Sequence, residues 1–299
     1  MKSTKKIIGP AIGLACGLSV SLHAQDIYVT TLNNNSVGVY GLDGSTINAS
    51  LITGLTRPFG IAVSGNDVFV VNNSPVNFNF GIIGEYTTSG ATVNASLFAA
   101  PDFPVDIAIS GNNVFVSNGA NNVGEYTTSG ATVNAALISG FSEVQGLAIS
   151  GTNLFVGDSS TGTIGEYSTS GATINASLIS GLGTIEDMAI SGNDLFVANW
   201  FGTIGEYTLS GDTVNASLIS GLDEPYGVAT LGDDLFVSSA GSGTIGEYTT
   251  SGETVNASLI SGLSGPRSIA ISPVPEPSIV ALGGLATAAL CLWRRPRKV

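Results

Sequence analysis

Short apolar runs alternate with polar, glycine-bearing breaks along most of the chain. Residues 188–191 (Met-Ala-Ile-Ser) and 195–198 (Leu-Phe-Val-Ala) are almost unbroken apolar runs. Runs of that kind read as strands buried on both faces. Residues 203–208 and 213–218 mix apolar with polar positions, as strands nearer a sheet edge do. Ser191-Gly192 and Ser210-Gly211 supply the turn residues that tolerate a positive φ between such strands. No stretch between residues 25 and 272 carries a helical period, so the pattern predicts strands joined by tight turns.

The four-run unit recurs. One tyrosine returns at Tyr40, Tyr86, Tyr126, Tyr167, Tyr207 and Tyr248, in steps of 46, 40, 41, 40 and 41 residues. The asparagine of an Asn-Ala-(Ser/Ala)-Leu segment returns at Asn48, Asn94, Asn134, Asn175, Asn215 and Asn256 in the same steps. A period near 41 fits a four-stranded propeller blade. The body begins on the second run type (residues 26–30) and ends on the first (residues 268–272). Each run type therefore occurs six times only if the last strand joins the first blade. Closure of that kind removes the unpaired edges that a linear solenoid would expose. The expected fold is an all-β, six-bladed β-propeller of four-stranded blades over residues 25–272, closed by strand sharing. Its size buries enough apolar surface without disulfides. The order Gly60-Ile61-Ala62-Val63, Val68-Phe69-Val70-Val71 and Ile204-Gly205-Glu206-Tyr207 resembles NHL-type six-bladed propellers. That resemblance implies the fold and no particular activity, since this architecture serves enzymes, binders and scaffolds.

The flanks read differently. Residues 1–24 have a basic start (Lys2, Lys5, Lys6) and an apolar stretch, with a plausible cut after Ala24, the pattern of a secretory signal peptide. Leu22, third before the cut, is larger than the residue usual there. Residues 273–299 carry a Pro275-Glu276-Pro277 motif within 274–278, an uncharged run over 279–293 and a basic tail over 294–299 led by Arg294 and Arg295. The uncharged run has 15 residues, slightly fewer than the usual spanning helix, and mismatch can be met by bilayer thinning or by arginines that snorkel. The basic tail should stay cytoplasmic. The motif, the short transmembrane helix and the arginine-rich end, in that order, resemble the bacterial PEP-CTERM sorting signal. The resemblance implies processing by an exosortase, a Gram-negative host, association with exopolysaccharide, and a final place at the cell surface or in the extracellular matrix. Signal peptidase is the other expected processing partner.

Charge narrows the partners. Residues 25–272 hold only Arg57 and Arg267 against 21 acids, a balance of −19. With so few cations to neutralise phosphates, nucleic acid is excluded as a partner. The whole chain has one His, His23, and two Cys, Cys16 and Cys291, all in the flanks. A Ser-His-Asp triad, a Cys-His pair and a His-ligated zinc are therefore ruled out in the body. Catalytic residues are none, and no cofactor is expected beyond a candidate Ca²⁺.

Recognition should be written where the copies differ. In the resembling propellers, the start of the first strand and the end of the second share one face. Here those positions are Phe59, Val105, Gln145, Glu186, Tyr226 and Arg267, then Thr31, Asn72, Asn118, Asp158, Asn199 and Ser239. Varied residues on a repeated frame suit ligand recognition. The extra residues 73–80 and the pair Trp200-Phe201 add aromatic rings to that face. Asn72, Phe78, Phe80, Asn118, Asn199, Trp200, Phe201 and Tyr226 are the candidate ligand-binding set. Sugar CH faces stack on such rings, while hydroxyls meet the amides. The same aromatics are also suited to plugging the channel mouth. Asp106, Asp158, Glu186 and Asp187 are the candidate oxygen ligands of a Ca²⁺ ion, or simply solvated acids. The recurrent Glu85, Glu125, Glu166, Glu206 and Glu247 sit at a half-buried strand position where the first copy has Val39, so they are not read as catalytic.

The expected role is non-enzymatic: binding or organising exopolysaccharide or another surface partner through one face. The rivals are a metal-dependent lactone or sugar hydrolase in the channel, and a structural spacer with no small ligand.

Overall fold

A computed structural model describes residues 25–73, 80–119 and 121–272. The expected signal peptide with its Ala24 cut, Phe78, and the sorting segment with Pro275, Glu276, Pro277, Arg294 and Arg295 lie outside the described residues. Among the described residues no helix is long and apolar enough to cross a membrane.

The described strands form six four-stranded antiparallel sheets. Each sheet is one blade, and consecutive strands pair outward from the centre. The innermost strands are Pro266–Ile271, Pro58–Ser64, Pro104–Ser110, Val144–Ser150, Ile185–Ser191 and Pro225–Leu231, for blades one to six. Each packs beside the innermost strand of the next blade, and the sixth meets the first, so they ring a central axis.

Closure follows the expected strand sharing. Pro266–Ile271 pairs antiparallel with Asp26–Thr31, with Ile27 opposite Ile271, Tyr28 opposite Ala270 and Val29 opposite Ile269. The join is tied off by reciprocal bonds: the Ser272 N–H donates to the Asp26 carbonyl (2.9 Å) and the Asp26 N–H to Ser272 Oγ (2.8 Å). The first and last described strands thus hold one blade together.

Burial falls off from axis to rim. Second strands such as Asp194–Asn199 are buried almost throughout, as unbroken apolar runs require. Phe69, Phe115, Phe155, Phe196 and Phe236 fill the layers between blades, and Tyr28 takes that place in the first. The recurrent tyrosine is also core. Tyr207 lies over Gly205 in its own strand, where any side chain would meet its ring, which explains the repeated Gly-Glu-Tyr. The glutamate between them is half-buried in most copies, as its strand position predicts, and burial raises Glu85, Glu125, Glu206 and Glu247.

Outer strands such as Thr213–Ser220 are exposed over most of their length. In all six, the asparagine Oδ1 accepts the N–H two residues on, for example Asn215 from Ser217 at 3.1 Å. The ladder shifts register at this point in every blade. Neighbouring blades touch where an outer strand ends. Gly211 (φ +94°) turns directly against the Leu178 carbonyl of the preceding blade, and an added Cβ would lie 2.6 Å from that oxygen.

Candidate functional site

One end of the axis gathers the start of every innermost strand and the end of every second strand. The innermost strands shift register here, between Ile185 and Asp187 and between Pro225 and Val228 for example. An irregularity of this kind re-aims side chains beside a site.

The second residue of each innermost strand forms one ring: Arg267, Phe59, Val105, Gln145, Glu186 and Tyr226. Half of this ring is interlocked. The Arg267 guanidinium lies 4.2 Å from the Tyr226 ring centroid and 5.7 Å from that of Phe59. Phe59 meets Tyr226 and Phe103 edge-on, at 6.3 and 5.4 Å between centroids. Trp200 meets Tyr226 edge-on at 6.5 Å, and Arg57 covers Phe103 at 5.5 Å. Both cations of the acidic body therefore lie on aromatic rings at this mouth, where the rings attract them. Phe59 and Tyr226 are buried; Trp200 is half-buried. Of the expected ligand-facing aromatics, Trp200 and Tyr226 belong to this cluster of rings. Phe201 is 76% exposed and Phe80 is 40% exposed, three blades apart.

The third residue of each innermost strand alternates in kind: Ser268, Gly60, Asp106, Gly146, Asp187, Gly227. Each polar member reaches into the following blade. Asp106 accepts the Leu147 N–H at 2.8 Å, Asp187 the Val228 N–H at 3.0 Å, and Ser268 Oγ the Ile61 N–H at 3.4 Å. Each glycine makes room on its other side. A Cβ on Gly146 would lie 2.8 Å from Asp187 Cα, and one on Gly60 2.8 Å from Asp106 Cα. Hydroxyls of the second strands back these clamps: Ser117 accepts from Asp106 N–H (2.8 Å), Ser238 from Gly227 N–H (2.7 Å) and Thr30 from Ser268 N–H (3.0 Å). The six blades thus carry a three-fold set of inter-blade hydrogen bonds, which the sequence reading missed. The alternation at this one register is the signal that would have found it.

Burial disfavours charge on these acids. It pushes the Asp106 carboxyl up to about 7. Asp187 is raised well above the carboxylate range by burial and by the charge of Asp106. Glu186 is pushed up to about 7 by burial, against the pull of Arg267 and with a small push from Glu143.

The ends of the second strands hold the mouth loops. Asp158 accepts N–H bonds from Ser142 (2.9 Å), Glu143 (3.2 Å) and Thr161 (3.4 Å). Asn72 accepts from Thr56 N–H, and Asn199 from Phe201 N–H at 3.1 Å. Asn118 donates to Asn122 Oδ1 at 2.7 Å, and its own Oδ1 is buried with no partner among the described residues. The four acids considered for a cation thus sit in different settings: Asp106 and Asp187 clamp blades, Asp158 holds a loop, and Glu186 faces the mouth. Among the described residues no three His, Cys, Asp or Glu side chains gather closely enough to hold a metal ion.

No known protein family matches the sequence, and no curated protein matches it. Solved structures do resemble the fold. A chain of a nidogen/laminin complex superposes with a TM-score of 0.68 at 13% identity, covering 84% of this chain and 99% of that one. A functionally unknown protein from Desulfotomaculum acetoxidans gives 0.57 at 16%, covering 83% and 98%. Virginiamycin B lyase from Staphylococcus aureus gives 0.52 at 18%, covering 84% and 80%. At these identities the likeness is one of fold alone.

Proposed function

We propose that this chain is an exported protein, sorted by its PEP-CTERM-like tail, whose propeller binds or organises extracellular polysaccharide without catalysing a reaction on it. The observation that carries this reading is the contrast between constant strands and a varied mouth. One register position is Phe, Val, Gln, Glu, Tyr and Arg in the six blades, while the strands beyond it barely change. Phe201 adds an exposed ring beside Asn199, the pairing of apolar face and amide that saccharides use. In the test, purified protein is mixed with polysaccharide from the producing cells and sedimented. Retention that drops for Phe201→Ala and Phe80→Ala supports the reading, and equal retention of both variants removes the aromatic part of it.

A structural spacer is the second reading. The interlocked Trp200, Tyr226, Phe59 and Phe103 favour it, because they fill one half of the mouth with the protein's own side chains. A spacer would retain no polysaccharide at any concentration.

A further inference from the structure

The ring formed by the second residue of each innermost strand divides into two arcs. Four consecutive blades contribute Gln145, Glu186, Tyr226 and Arg267; the other two contribute Phe59 and Val105. The polar arc is left unsatisfied at two atoms among the described residues. Gln145 Oε1 and Arg267 Nε are buried with no hydrogen-bond partner. Glu186, 7% exposed, feels the attraction of the Arg267 charge, and the Arg267 guanidinium lies over the Tyr226 ring. Gln145 Nε2 alone is occupied, by Glu143 at 3.2 Å. Buried polar atoms without partners are costly, so two of them at one register, in blades on opposite sides of the axis, point to something that completes them.

We infer that the mouth holds one uncharged sugar ring, its hydroxyl edge on Gln145, Glu186, Tyr226 and Arg267 and its CH edge toward Phe59 and Val105. This rests on the saccharide-binding reading above and names the class of unit bound and where it sits. The donor and acceptor inventory selects it. Arg267 can only donate, the Glu186 carboxylate and Gln145 Oε1 accept, and a sugar hydroxyl does both. Charge selects it further. The arc carries one cation and one acid that attract each other, so an added charge on the ligand would have to break that attraction, whereas a neutral ring leaves it in place. Carbohydrate CH groups complete the apolar arc, as the mixed lining of small-molecule sites requires.

The test is a titration of the purified protein with neutral mono- and disaccharides, the matching uronic acids and the matching 2-amino sugars, followed by calorimetry or saturation-transfer NMR. The expected result is saturable binding of at least one neutral sugar, with its uronic acid weaker by about tenfold or more. Arg267→Met should weaken the neutral sugar about tenfold, the loss of one charge-assisted bond. Glu186→Gln should narrow the gap between neutral sugar and uronate, which a purely structural role would leave unmoved. Val214→Thr on an outer strand is the unaffected control. If Arg267→Met melts early, Gln145→Leu replaces it, with the same expected weakening. Neutral sugars bound no better than uronates, or bound equally by all the variants, would overturn the inference. Polysaccharide retained while no small sugar saturates overturns this site and leaves the surface reading standing. No retention and no saturation overturns both.

Discussion

The Asp187 carboxylate accepts the backbone N–H of Val228, one blade on, at 3.0 Å. Asp106 does the same to Leu147 at 2.8 Å. These two bonds cross the gap between blades, where no strand ladder can reach. They stitch the ring from inside the channel, while hydrophobic layers hold it from outside.

At pH 5, where burial keeps the Asp106 carboxyl neutral, Asp106→Ala should lower stability by about 1–3 kcal/mol, the cost of an orphaned buried N–H. Asp106→Asn keeps an acceptor at the same place and should lose less. At pH 8 the alanine penalty should shrink, because removing the side chain also removes a buried charge. Thermal melts of the three proteins at the two pH values check this.

Stability itself should fall as pH rises. Asp106 titrates near 3.8 when exposed and at about 7 when folded, and Glu186 moves from 4.5 to about 7. Between those limits the folded protein holds more protons than the unfolded chain, so protonation favours folding. Their contribution is complete below about 4, the unfolded value, and is lost as pH climbs through about 7. Urea midpoints measured from pH 5 to pH 8 should therefore decline, and a combined Asp106→Asn, Asp187→Asn variant should flatten the slope. A midpoint that rises over this range would sink the assignment.

The shared blade should be the weak point of the ring. Ile269, 6% exposed and opposite Val29, lies in the closing strand. Ile269→Ala should cost about 2–4 kcal/mol by cavity formation. Amide exchange should then rise first in Asp26–Thr31 and Pro266–Ile271. Uniform exchange over all blades would contradict a seam at that place.

Gly211→Ala combines a positive φ with a Cβ set 2.6 Å from the Leu178 carbonyl. It should destabilise by about 1–3 kcal/mol, although the residue lies at the surface in an exposed turn. The melting temperature reads it directly.

If the bound polysaccharide is acidic overall, the −19 body should repel it in the absence of divalent cations. Sedimentation with Ca²⁺ or Mg²⁺ should retain the polymer, and chelator should release it. Retention unchanged by chelator would contradict this.

The ring was legible because it is arithmetic: counting run types places residues 268–271 beside residues 26–30, and Ile269 does lie opposite Val29. The recurrent glutamates were legible too, since one position that takes Val39 or Glu206 is a packing position. The interior of the mouth was not. Asp106 and Asp187 drew attention by their charge, yet their partners are backbone N–H groups forty-one residues on, which no local pattern reveals. Trp200 and Tyr226 were legible as candidate ligand-binding residues, but their edge-on contact between two blades was not. Spacing along a chain predicts neighbours within a blade; it is silent about contacts across the channel.

The six outer strands leave one further mark on the molecule. Each spends an asparagine side chain on its own backbone N–H two residues on, and each shifts register against its partner strand there. An incoming strand would find that donor already occupied and the register irregular. Crowded copies would therefore meet through side chains such as Val214 and Val255, and fibril growth by templated pairing would be denied its first step.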